Sequence, residues 1–210
     1  MRVKIGTFCM LLGTALLCGA LSLFLFNRNQ ELSAEESVQS ILPQVIEQIR
    51  QPDPTDSTET AQVWIPKDFL EPEDLHMTEV EIDGNSYIGY LSIPNFELEL
   101  PVMADWDYDK LKIAPCRYAG TLKGENLVVM AHNYARHFGR LSDLKPGDLV
   151  VFTDMDGSVV RYQVTATDVL PPNAVEEVTS GTADLTLFTC TFGGKSRVTV
   201  YCDRMKAEME

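Results

Sequence analysis

A cysteine and an arginine stand at the two edges of a short turn in "DLTLFTCTFGGKSRVTVYCDR", Asp184 to Arg204. Two β-type runs, Leu185–Cys190 and Arg197–Asp203, flank Thr191-Phe192-Gly193-Gly194-Lys195-Ser196. Period-two alternation gathers Leu185, Leu187 and Thr189 on one face of the first run, and Val198, Val200 and Cys202 on one face of the second. Joining those apolar sets in a hairpin pairs Leu187 with Val200 and Leu185 with Cys202. The same register sets Cys190 opposite Arg197 on the other face, with Cβ positions about 5 Å apart. A guanidinium in that place favours a thiolate or an oxyanion. Two other readings stay open: Gly193-Gly194 admits a bulge that breaks the register, and a lone thiol is often a small buried residue. Cys202 belongs to the core set, several residues down the other strand, so a disulfide to Cys190 is out of reach.

A thiol nucleophile needs a base or proton carrier, and the chain has three histidines. His76 sits in the acidic "EPEDLHM", and His137 is flanked by Arg136 and Phe138 in a loop. His132 ends the β-branched run "NLVVMAH", where a strand gives way to a loop and clefts open. Spacing alone leaves open whether His132 meets Cys190 or is structural.

The elements that must carry these residues begin near Val80. Asp83-Gly84-Asn85 reads as a turn, Tyr87–Ile93 as a strand, and Glu97–Val102 alternates again after Pro94-Asn95. "DWDYDKLKIAP" holds a short helix, "LKPGDLVVFT" a break and a strand, and "MDGSVVRYQVTATDVL" a hairpin turn and a long strand. "NAVEEVT" reads as a helical turn. Short strands at this spacing predict an all-β barrel or sandwich, and about 125 residues suffice for one core. "TDMDGS", Thr153–Ser158, has some calcium-loop residues but lacks the remaining ligands and reads as the hairpin turn.

Upstream, Ile5–Phe26 is a run without a charge. As a helix its 22 residues reach roughly 33 Å, enough for a hydrocarbon core of roughly 30 Å. A cleavable signal has a shorter apolar region and small residues at its cleavage site, and Leu17 before Cys18 is wrong for lipoprotein processing. An uncleaved anchor is expected, with Arg2 and Lys4 favouring a cytoplasmic N-terminus and an extracellular remainder. Val38, Ile41, Leu42, Val45, Ile46 and Ile49 then form a helical stripe, interrupted at Pro43, where a kink is expected. "QPDPTDSTETAQ" reads as a flexible linker, and Val63 to Glu79 as a segment that drapes over the domain or stays mobile, with Trp64 to Leu75 left open as a lid over the groove. The expected division is 1–28 for the tip and transmembrane anchor, 29–80 for a helical stalk and acidic linker, and 81–210 for the barrel. The formal net charge of −14 excludes nucleic acid, which needs a basic stripe. Of five cysteines, Cys116, Cys190 and Cys202 lie outside the anchor, an odd number that leaves one thiol unpaired in an oxidising compartment.

Together these residues resemble the sortases, membrane-anchored cysteine transpeptidases of Gram-positive bacteria. "TLFTC" (Thr186–Cys190) is similar to the family's Thr-Leu-X-Thr-Cys signature, and "SRVTVYC" supplies the arginine at the edge of the next strand. "NLVVMAHNYARHFGRLSDLKPGD" resembles its histidine block, and "YIGYLSIPNFELELPV" its opening strands. The likeness spans roughly Tyr87 to Asp203. It implies an eight-stranded sortase β-barrel with short helices, Cys190 as nucleophile, His132 as proton-transfer partner and Arg197 as the group that positions substrate and steadies the oxyanion. Thr189 and Asn133 are the candidate substrate-binding residues; no metal or cofactor is called for. The reaction implied is cleavage of a Leu-Pro-X-Thr-Gly-like sorting signal after Thr, through a thioacyl-enzyme. An amine of a cell-wall precursor or a pilin lysine then resolves it. In the family the active pair is thought to be thiolate with imidazolium.

The sequence departs from the pattern in places. Ala131 stands where many members have glycine, and the Cys-to-Arg loop has six residues. No second hydrophobic segment follows Arg204, which counts against the pilin-polymerising type. The alternatives are a membrane-anchored cysteine peptidase, with water resolving the acyl-enzyme, and a non-catalytic surface domain that binds a peptide strand.

Overall fold

A computed structural model describes residues 2–50 and 76–206. The linker and the Trp64–Leu75 segment lie outside the described residues.

The chain opens with one helix, α1 (Arg2–Arg50), unbroken across the expected boundary at residues 28 and 29. Pro43 lies inside it without ending it. Pro43 is exposed, so the carbonyl it leaves without a helical donor faces water. The apolar side chains of the first half, among them Phe8, Leu17 and Phe24, are exposed. In the second half Ala34, Val38, Ile41 and Val45 recur at helical spacing and are buried against the β-structure. Ile41 and Val45 pack with Ile82, Tyr87, Met103 and Met155. Among the described residues α1 is the one helix long and apolar enough to cross a membrane.

Among the described residues nine strands follow: β1 (Val80–Ile82), β2 (Asn85–Ile93), β3 (Leu98–Met103), β4 (Cys116–Ala119), β5 (Leu127–Ala131), β6 (Leu149–Asp154), β7 (Val159–Leu170), β8 (Leu185–Cys190) and β9 (Arg197–Arg204). A five-residue helix, α2 (Val175–Thr179), precedes β8. The order is β1-β2-β3-β4-β5-β8-β9-β7-β6, and β2 also pairs with β6. That pairing closes eight strands into a barrel, with β1 a short hairpin arm on β2. The seam is tight at Gly89, whose φ is +139° and where a Cβ would lie 2.0 Å from the Thr153 carbonyl oxygen. Only a residue without a side chain lets β2 and β6 approach there.

Inside, Leu91, Leu100, Val129, Phe152, Leu185, Leu187, Val200 and Cys202 form the core, and Phe138, Leu141 and Leu144 from the segment after β5 enter the same cluster. The β8–β9 register follows the expectation from alternation: Leu185 pairs with Cys202, Leu187 with Val200, and Cys190 with Arg197. No bulge interrupts it. Asp154–Ser158 is the β6–β7 turn, with the Asp154 carboxylate accepting the Ser158 N–H at 2.8 Å. Cys9, Cys18, Cys116, Cys190 and Cys202 are all thiols, with Cys116 and Cys202 buried.

Candidate active site

Cys190 is the last residue of β8 and is half-buried. Its side of the sheet is the outer one, because Leu187 and Thr189 point inward and strand residues alternate. The six-residue connection to Arg197 is a closed loop, not an extension of the ladder. Thr191 N–H donates to the Ser196 carbonyl at 2.9 Å, and Gly194 N–H donates to the Thr191 carbonyl at 2.8 Å. Gly193 and Gly194, with φ of +79° and +71°, provide the left-handed turn that fits six residues between paired ends. Arg197 Nη1 donates to the carbonyls of Gly194 and Ser196, at 3.2 and 3.1 Å, so the guanidinium lies at the base of this loop.

β5 runs parallel to β8 and beside it, with Val128 level with Thr186, Met130 with Phe188 and Ala131 with Thr189. The ladder ends at that pair: His132 follows β5 directly, and Cys190 is the next and last residue of β8. His132 is half-buried, and desolvation, aided by the nearby Lys112 ammonium, lowers its pKa below the ordinary histidine value. Its ring packs on Tyr134 with centroids 4.9 Å apart, and Tyr134 reaches His137 at 5.5 Å.

Thr189 and Asn133 flank this pair differently. Asn133 is exposed. The Thr189 side chain is 4% exposed and donates to the Ala131 carbonyl at 2.8 Å, which turns its hydroxyl away from any incoming ligand. His137 lies in a loop, as its flanking residues suggest, yet it is 1% exposed, and among the described residues neither ring nitrogen has a hydrogen-bond partner. Burial first, then the neighbouring His132, pulls its pKa down to about 4. His76 is exposed and remote from this constellation in sequence.

Sequence reasoning passed over three features. Tyr134 sits between the two imidazoles. An aromatic cluster lies on the outer face, where Phe188 meets Tyr118 edge-on at 5.2 Å and Tyr118 meets Trp106 at 5.6 Å. A shallow depression of about 340 Å³ beside it is lined by Trp106, Arg117, Tyr118 and Gly120. The third feature is α1: Glu31 accepts the Ala135 N–H at 2.6 Å, Glu35 pairs with Arg136 at 3.0 Å, and the Tyr134 hydroxyl reaches Gln30 at 3.4 Å. A larger cleft, about 540 Å³, lies between α1 and the start of β3 and includes neither Cys190 nor His132.

A thiol, an imidazole and a guanidinium at one end of two parallel strands and a hairpin are suited to acyl transfer. The thiol supplies a nucleophile, the imidazole moves protons, and the guanidinium meets negative charge on a carbonyl oxygen.

Comparison with known proteins gives the same direction. The family model described as the sortase domain matches residues 91–205, more than half of the chain. Sortase A of Bacillus anthracis is 28% identical over 126 residues, covering 57% of this chain and 60% of that protein. Sortase C1 from Streptococcus suis superposes with a TM-score of 0.51 at 29% identity, over 59% of this chain and 76% of that one. Streptococcus pneumoniae sortase C, at 23% identity, shares the fold with a TM-score of 0.53 over 84% of this chain and 98% of that one.

Proposed function

The chain belongs to the sortase family, and from that premise we propose that it is a cysteine transpeptidase with Cys190 as nucleophile, His132 as proton carrier and Arg197 as oxyanion and substrate partner. One observation carries this reading. The β8–β9 register sets Cys190 against Arg197, and the parallel β5–β8 ladder closes on Ala131 and Thr189, the residues just before His132 and Cys190.

The chemistry proceeds in two halves. His132, kept neutral by desolvation, takes the Cys190 proton as sulfur attacks a peptide carbonyl, and Arg197 turns from its loop carbonyls toward the forming oxyanion. The C–N bond breaks, His132 hands its proton to the leaving amine, and a thioester remains. An incoming amine attacks that thioester, passes its proton to His132, and the thiolate leaves and is reprotonated. No ATP is required, because the thioester retains the energy of the broken amide. The substrate is a Leu-Pro-X-Thr-Gly-like sorting signal cleaved after Thr. The acceptor is an amine of a cell-wall precursor or a pilin lysine.

Phe188, two residues before Cys190 on the same face of β8, joins Tyr118 and Trp106 in an aromatic surface that suits an extended peptide with apolar side chains. Asn133 is exposed at the mouth and is a candidate polar contact; Thr189 serves through the strand it ties. Residues 1–28 are the cytoplasmic tip and single-pass anchor, 29–80 the stalk and linker, and 81–210 the extracellular catalytic barrel.

The test incubates the full chain in detergent with a panel of sorting-signal peptides and an amine. An acyl adduct on Cys190 by mass spectrometry, followed by amide product, is the expected result. Absence of adduct with every motif rejects the proposal. An adduct released by water at a rate that no amine alters makes the protein a peptidase instead.

A further inference from the structure

The path of α1 fixes how the barrel is turned relative to a membrane. Its apolar segment ends at Phe26, and the same helix continues without interruption to Arg50. At 1.5 Å per residue, Gln30 and Glu35 lie about 6 and 14 Å beyond Phe26, and Ile49 about 35 Å beyond it.

The barrel contacts along this line run in a definite order. Gln30, Glu31 and Glu35 hold the loop Tyr134–Arg136, which follows His132. Val38 and Leu42 come next, beside Leu98 and Leu100 at the start of β3. Farthest out, Ile49 lies 3.7 Å from where a Cβ on Gly157 would stand, in the β6–β7 turn. The strand directions agree. The ends of the parallel strands β5 and β8, bearing His132 and Cys190, lie toward Gln30, and the β6–β7 turn lies at the other end.

On the lipid-facing end one side chain has no interior to join. Phe192, in the loop between Cys190 and Arg197, is 93% exposed, with the exposed Lys195 on the same loop. A phenylalanine with a neighbouring cation is the pairing favoured at a bilayer interface, where the ring enters the acyl boundary and the ammonium meets phosphate. The interfacial layer is about 5–8 Å deep on each side of the hydrocarbon core, comparable to the distance from Phe26 to Gln30.

We propose that the catalytic end of the barrel faces the bilayer that holds α1, with the Phe192–Lys195 loop in contact with lipid headgroups. The inference rests on the reading of α1 as a membrane span. It adds an interaction surface of stated chemistry: the lipid headgroups of the anchoring membrane itself, not a second protein.

The full chain carrying Trp64→Phe and Trp106→Phe is reconstituted in phosphatidylcholine–phosphatidylglycerol vesicles brominated near the glycerol end of the acyl chains. Tryptophan is reintroduced by Phe192→Trp, by Lys195→Trp as a second probe of the same loop, and by Asp156→Trp at the β6–β7 turn. Circular dichroism and thermal melting confirm that each variant is folded. Either loop probe should lose more than half its emission to bromine and shift to shorter wavelength, while the Asp156→Trp chain keeps its emission. Equal quenching at both ends, or quenching at Asp156→Trp alone, overturns the proposal. Flotation with the vesicles separates the two layers of the argument. A chain that floats with an unquenched loop refutes the orientation alone, and a chain that does not float refutes the membrane span and the orientation together.

Discussion

The hydroxyl of Thr189 donates to the carbonyl oxygen of Ala131 at 2.8 Å, tying β8 to β5 one residue before Cys190 and His132. The bond is buried and sits where the strands must stay level for thiol and imidazole to meet. Thr189→Val keeps the shape and removes the donor, at a cost of about 1–2 kcal/mol in stability. Its rate of acyl-enzyme formation should fall further than that loss explains at temperatures where the variant is fully folded. Thr189→Ser, which keeps the hydroxyl, should recover most of the rate. Urea denaturation and timed mass spectrometry of the adduct measure both. A fully active valine variant would show that the tie does not align the pair.

Arg197 holds its guanidinium on the Gly194 and Ser196 carbonyls, within its own loop. In the proposed cycle it must exchange those neutral acceptors for a developing oxyanion, a stronger partner. Arg197→Ala should lower kcat/KM for peptide cleavage by about 10²–10³, the usual cost of an oxyanion donor. Arg197→Lys restores charge without the planar fork and should stay at least about ten-fold below the parent. A lysine variant with full activity would leave Arg197 only a long-range electrostatic role.

The two histidines should separate by what they change. His132→Ala is expected to abolish turnover by orders of magnitude with a small effect on stability. His137 is buried, with a folded pKa of about 4 against an ordinary 6.5. As pH falls below 6.5 the unfolded chain takes up this proton first, so stability is lost progressively down to about pH 4. It is fully present above 6.5. The window corresponds to about 3 kcal/mol. Urea midpoints of the parent and of His137→Phe, compared at pH 7 and 4.5, isolate this contribution. Parallel pH profiles for the two chains would mean that His137 is protonated while folded.

The hairpin was legible in the sequence because its information is local. Period-two alternation in Leu185–Cys190 and Arg197–Arg204 leaves one register that keeps Leu187 and Val200 inside, and that register pairs Cys190 with Arg197. That Cys190 and the residue after β5, His132, lie at the ends of neighbouring strands was not legible by the same means. It depends on β5 and β8 pairing in parallel across a connection that contains two strands and α2, and no periodicity encodes that neighbour. His137 shows the limit from another side. Arg136 and Phe138 mark a loop correctly, but its burial comes from Phe138 and Leu141 entering the barrel core beneath it.

Glu31 and Ala135 are 104 positions apart in sequence, yet the carboxylate accepts that backbone N–H at 2.6 Å, on the loop that follows His132. A charged acceptor on an amide gives a strong bond, reduced here by solvent exposure to about 1 kcal/mol. Glu31→Ala in the full chain should therefore raise hydrogen exchange at the Ala135 amide by about five-fold, while amides in the middle of β5 keep their protection. Because Tyr134 stacks on His132 in the same loop, the proton carrier should be less well aligned, and kcat should fall with little change in KM. Glu31→Gln retains an acceptor oxygen and should fall between the two. Unchanged exchange at Ala135 with unchanged kcat would mean that the Glu31 bond does not hold the histidine loop in place.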